Sequence, residues 1–201
     1  PDLYFELAER FADNVVPLSV VAEVRFGVKT GCDRFFFVRD VTQEHLDTHK
    51  TPKAFKSRWG ILPFQTDRIR IVRAGDKTDH LVEAKYLEPE VHNLMETNGV
   101  FGVRINPADL RLKVFLCGAE RVTLKGTHAL KYIQWGEKEG FDEGSTCAAR
   151  AESGEWYDLR PGARGDVLWP MAQQYRHLAP FNNKELLANH NLFDVHAGKG
   201  I

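Results

Sequence analysis

In residues 20–38, VVAEVRFGVKTGCDRFFFV, two apolar segments flank a connection broken by glycine. Val20, Ala22, Val24 and Phe26 alternate with Val21, Glu23 and Arg25, which is the period of a strand with one buried face. Gly27 and the Thr30-Gly31 pair interrupt that pattern and predict a tight connection. Phe35 to Val38 is apolar throughout and reads as a second strand. Arg25, Lys29, Asp33 and Arg34 then fall on or beside a short loop between buried flanks. A cationic loop held at both ends can present charge to a phosphate backbone. The same composition also suits an ordinary surface hairpin with solvated charges.

Working outward, the 201 residues are 43% hydrophobic and 27% charged, a profile for one domain or one domain with a small appendage. No run reaches the ~18 apolar residues of a membrane helix. The opening PDLYFELAERFADN has no basic and apolar leader pattern. It reads as the end of an amphipathic linker helix, residues 1–16, entered part-way from a longer chain. Cys32, Cys117 and Cys147 are widely spaced with no CxxC pair, which argues against a zinc or disulfide framework and for a reducing cytoplasm. The net charge of -1 counts against a free-standing DNA-binding protein, which is usually basic. The basic residues nevertheless cluster: residues 50–73 hold Lys50, Lys53, Lys56, Arg58, Arg68, Arg70 and Arg73 against Asp67 alone.

Residues 40–50 are polar and give no clear pattern. Thr51-Pro52 is a helix start, Phe55 and Trp59 share a face one turn apart, and Gly60 is a stop. Residues 68–73, RIRIVR, alternate as a strand with Arg68 and Arg70 on one face, open to carboxylates such as Glu83 or Glu88 or to DNA phosphates. A turn over 74–77 leads to a returning strand over 80–84, and Pro89 is expected to start a short helix through Met95. Residues 100–105 and 112–116 read as strands joined by Asn106-Pro107-Ala108-Asp109. Thr127 caps a helix with Ala129, Leu130 and Ile133 turned inward; Tyr132 and Trp156 are expected in the core, and Trp135 is the aromatic expected to be exposed. Residues 166–183 read as two strands and a turn, residues 189–195 as a last strand, and residues 198–201 as a frayed tail.

Three catalytic or metal patterns fail on chemistry. His45 and His49 have the spacing of a zinc pair, but Leu46 stands where a metalloprotease needs glutamate and no third ligand is evident. Cys147 with His128 or His177 lacks a nucleophile's setting, being flanked by small residues. Gly198-Lys199-Gly200 lacks the rest of a P-loop. No glycine-rich loop follows a strand in the way a cofactor-binding fold requires.

The string E-V-x-x-G-x-K-T-G-x-D-x-F-F at 23–36 resembles the target-recognition domain of γ-class adenine-N6 DNA methyltransferases, the TaqI-like specificity domain. Thr30, Gly31, Phe35 and Phe36 match; Cys32-Asp33-Arg34 departs from the family's usual small residue, Asn and polar residue. Leu87-x-Pro89, Tyr132-Ile133 with Gly136-Glu137, Trp156-Tyr157-x-Leu159 with Arg150 upstream, and Leu168, Pro170 and Arg176 are similar to later family segments, in the family's order. Asn106-Pro107 is followed by Ala108 and Asp109, so it lacks the aromatic that a methyltransferase stacks on a flipped adenine.

The resemblance implies an α+β, strand-rich domain over residues 17–197, with short helices on a twisted sheet. It also implies double-stranded DNA as partner and a catalytic domain elsewhere in the parent chain that binds S-adenosylmethionine, in a restriction-modification or phage-defence system. The expected phosphate contacts are Arg25, Lys29, Thr30 and Arg34, then Arg68, Arg70 and Arg73. The expected base readers are Gln134, Glu137, Arg150 and Arg160. The near-neutral charge keeps a second class open, a protein- or RNA-interaction module.

Overall fold

The computed structural model describes residues 2–96, 104–172 and 178–198. Expectations that rest on residues 97–103, on Arg176 and His177, or on 199–201 lie outside the described residues.

The fold is α+β, the class that the resemblance implies. The described residues form α1 (Asp2–Arg10), α2 (Leu18–Val21), β1 (Ala22–Phe26), α3 (Asp33–Phe36), β2 (Phe37–Asp40), α4 (Thr42–Thr48) and α5 (Pro52–Trp59). They continue with β3 (Ile69–Arg73), β4 (Asp79–Glu83), β5 (Leu87–Val91), β6 (Leu112–Phe115), α6 (His128–Lys138) and α7 (Ser145–Ala151). The last strands are β7 (Val167–Pro170), β8 (Leu187–Ala188) and β9 (Leu192–Ala197). A six-stranded sheet runs β4-β3-β2-β6-β5-β8, antiparallel except for the β5–β8 pair. A smaller antiparallel sheet runs β1-β9-β7. No helix among the described residues is long and apolar enough to cross a membrane.

Local chemistry explains the best-defined helices. Thr51 accepts a hydrogen bond from the Ala54 N–H, Pro52 occupies the first turn, and Gly60 closes α5 at φ 75°. The Thr127 hydroxyl accepts from the Leu130 N–H to cap α6. Glu83, at the end of β4, adds a second cap from outside the helix: its carboxylate accepts from the His128 and Ala129 N–H groups at 2.7 and 2.8 Å.

Neighbouring strand residues point to opposite faces, and on β3 both faces are covered. Ile71 packs with Val41, Phe55 and Ile61 beside α4 and α5, whereas Val72 joins the main core. That core is built on aromatic rings from distant segments. Phe35 stacks on Tyr132 at 4.6 Å, meets Trp156 at 4.7 Å, and lies edge-on to Phe36 and Phe115. The Tyr132 hydroxyl donates to the Phe35 carbonyl.

Four local expectations are corrected. Phe35 and Phe36 end a single helical turn, α3, and the strand begins at Phe37; all of Phe35 to Val38 are buried, and a short buried apolar run has no periodicity to separate helix from strand. Pro89 lies inside strand β5, opposite Lys113, where β5 has β6 on one side and β8 has not yet begun on the other. Trp135 is half-buried against His80, with ring centroids 4.0 Å apart. Strand β1 forms over Ala22–Phe26 only, since Val20 and Val21 end helix α2, and Val24 and Phe26 are 43% and 66% exposed, so its apolar side is not covered among the described residues.

Candidate nucleic-acid interface

The connection from β1 to α3 crosses the junction of the two sheets. The Val28 N–H donates to the Ala188 carbonyl at 2.7 Å, and Gly27 lies so close to this backbone that a Cβ there would sit 2.2 Å from the Asn189 carbonyl oxygen. Gly31 takes φ +80° with Thr146 pressed against it. Thr30 and Asp33 are joined side chain to side chain, and the Thr30 hydroxyl accepts from the Cys32 N–H. The loop is therefore held by its own turn chemistry and by two distant backbones.

Arg150 completes the fixation. Its guanidinium donates to the Thr30 carbonyl at 2.8 Å and to the Trp156 carbonyl at 2.6 Å, and lies 5.5 Å from the Phe36 ring. The buried Cys147 thiol donates to the same Thr30 carbonyl, and burial raises its pKa. A packed thiol in that state is poorly placed to act as a nucleophile.

A cleft of about 340 Å³ opens beside this loop. Arg25, Lys29, Arg150, Arg160 and Arg164 line it, against Glu155, Asp158 and Asp194. Five basic groups line the cleft against three acidic ones, but Glu23 and Glu88 pair with Arg25 and Arg164, so most of this charge is compensated within the protein. A shallower hollow shares Lys29 and continues over Thr30, Gly31, Cys32, Asp33 and Arg34 to His190. Four of the expected contact residues, Arg25, Lys29, Arg150 and Arg160, thus meet in one cleft, with Arg34 next to it. His190 is invisible to motif reading because it arrives from a distant part of the chain.

The polar atoms of these residues are not equally free. Lys29 and Arg34 are exposed and have no ion pair or side-chain hydrogen bond among the described residues. Arg25 is held by Glu23 at 2.7 Å and Arg160 by Asp158 at 2.8 Å, both from exposed positions. Arg164 reaches Glu88 at 3.0 Å. Thr30 is fully buried with its hydroxyl engaged by Asp33, so it shapes the loop and does not offer that hydroxyl to a phosphate. Arg150 spends its donors on backbone carbonyls, which makes it a positioning residue and not a reader of bases.

Glu137 also has an internal task. Arg121 grips its carboxylate through two nitrogens and the Trp156 indole N–H donates to it at 3.0 Å; the Arg121 hydrogen bonds hold its pKa below the usual range. Gln134 is exposed on α6 and faces a separate hollow with Arg121 and Lys125.

The second cationic group is mostly neutralised. Arg73 binds Asp79 through two nitrogens at 2.6 and 2.8 Å and approaches Glu44 at 3.3 Å; the Arg73 hydrogen bonds depress the Asp79 pKa. Arg70 lies 3.7 Å from Asp40. Arg68 is exposed without an ion pair among the described residues. The carboxylates expected to serve these arginines have other duties, Glu83 on the start of α6 and Glu88 on Arg164. His45 gives Nε2 to Asp79 at 2.8 Å, and the His49 Nδ1 faces the His45 carbonyl, so the two rings do not converge as a metal pair.

No family model matches the chain, and no curated protein matches it.

Proposed function

We propose that this chain is the target-recognition domain of an S-adenosylmethionine-dependent, site-specific DNA adenine-N6 methyltransferase of restriction-modification or phage-defence type, acting on cytoplasmic DNA. The observation that carries the reading is the pair Lys29 and Arg34, exposed, without an ion pair among the described residues, and carried by the fixed β1–α3 connection and the first turn of α3 beside an arginine-lined cleft. Rigid placement matters because a phosphate contact fixes register only if its donor is itself fixed. In this reading the loop and cleft hold the duplex backbone. Arg160 in the cleft, and Gln134 from the neighbouring hollow on α6, take base edges in the major groove. A catalytic domain of the same parent chain binds the cofactor and the flipped adenine from the opposite side.

The test is binding to random-sequence duplex DNA over a salt series, with single-stranded RNA as competitor. The expected result is a steep salt dependence, equivalent to roughly four neutralised phosphates, with duplex preferred. Preference for single-stranded RNA, or binding without salt dependence, overturns it.

A further inference from the structure

Strand β1 is an edge of the small sheet, and its sequence is self-complementary. Its register with β9 and β7 places Ala22, Val24 and Phe26 on one face with Phe193, Val195, Ala197, Val167 and Trp169. That face is apolar throughout. Phe26 and Phe193 touch at 5.1 Å, while Phe26 and Trp169 are 66% and 44% exposed. The opposite face of β1 carries Glu23 and Arg25. The far edge of the sheet, β7, ends at Pro170 and is bridged by Phe181, so among the described residues β1 is the edge left open for a new strand.

We propose that two copies of this chain associate by antiparallel pairing of β1 with β1 about a two-fold axis at Val24, forming a continuous six-stranded sheet. In that register Val24 faces Val24 of the second copy, Ala22 faces Phe26, and Glu23 faces Arg25. Each apolar pair joins the exposed faces on one side, small residue against large. Each charged pair replaces the contact Arg25 now makes with Glu23 two residues away. Every position of the strand finds a suitable partner, which is what an isologous interface requires.

The amphipathic helix α1 adds a further exposed apolar surface. It has no buried residue, and Leu3, Tyr4, Leu7 and Phe11 lie exposed along one side at helical spacing. With about 200 Å² for a large apolar side chain, these four with Val24, Phe26, Trp169 and Phe181 leave roughly 800 Å² exposed per copy, the amount a stable interface buries on each partner.

The experiment is sedimentation equilibrium at about 50 µM without DNA, on the wild type, Glu23→Arg, Arg25→Glu, and an equimolar mixture of the two variants. The expected mass is twice the 22.9 kDa chain for the wild type, with dimerisation at least tenfold weaker in each variant alone, where like charges oppose. The mixture should regain the dimer, because one chain then presents two carboxylates on this face of β1 and the other two guanidinium groups. Recovery on mixing also shows that both variants fold. A monomeric wild type overturns the proposal, and so do single variants that dimerise as well as the wild type.

Discussion

The Arg150 guanidinium and the Thr30 carbonyl oxygen meet at 2.8 Å, tying the end of α7 to the connection between the two sheets. The same guanidinium holds the Trp156 carbonyl, so one side chain fastens three segments. Arg150→Ala should lower stability by about 2–3 kcal/mol, since hydrogen bonds from a charged donor are lost and two carbonyls lose partners. Arg150→Lys should recover little, because a single ammonium cannot span both carbonyls as a planar fork does. Chemical denaturation of the two variants checks this. Full recovery by lysine would show that charge alone matters at this position.

Gly31→Ala addresses the same loop from the backbone. At φ +80° any side chain is strained, and a Cβ would sit 2.6 Å from the Thr146 Cβ. The expected loss is roughly 1–3 kcal/mol, with the shift of Thr30 relayed to Arg150. In a double-mutant cycle with Arg150→Ala the two effects should be less than additive, because both release one contact. Strict additivity would separate the turn from the clamp.

The parts of the fold legible in the sequence were those governed by local chemistry. Thr51, Pro52 and Gly60 marked both ends of α5, and the alternation of residues 68–73 marked β3, which starts one residue later. Pairing across long separations was not legible. Asp79 and Glu44 neutralise Arg73 and Asp40 faces Arg70 only because the strands and α4 come together. Two motifs supplied basic residue types that the fold brings together, but not which guanidinium was free: Arg150 is consumed by carbonyls that no motif records. Alternation in β1 correctly predicted a strand and wrongly predicted its cover, because periodicity states that a face is apolar and not what lies on it.

Glu137 gives a pH dependence with a defined sign. Its folded pKa lies below the ordinary 4.5, chiefly through the Arg121 hydrogen bonds, so it contributes stability that is present above the unfolded pKa and lost as pH falls through the folded one. Arg121 is 41% exposed, and screening limits the contribution to about 1 kcal/mol. Glu137→Gln should therefore be less stable than wild type near pH 7, and the gap should close as the pH falls below 4.5 and through the folded pKa. Thermal denaturation at both pH values reads it; a constant gap would assign the effect to the Trp156 hydrogen bond instead.

The contrast between free and paired cations makes the sharpest test of the interface. Lys29 and Arg34 have no ion pair among the described residues, whereas Arg73 is held by Asp79 and Glu44 and Arg70 faces Asp40. A cation already neutralised inside the protein releases few counterions from DNA, because using it on a phosphate first requires breaking its own pair. Lys29→Ala and Arg34→Ala should each weaken duplex binding on all sequences alike and reduce the salt slope by about one. Arg70→Gln and Arg73→Gln should leave the slope unchanged while Arg73→Gln lowers stability, since Asp79 and His45 lose their anchor. Slopes from four titrations between low and physiological salt decide it. If Arg73→Gln lowered the slope and Lys29→Ala did not, the DNA would lie on the β3 face and the loop beside the cleft would be structural.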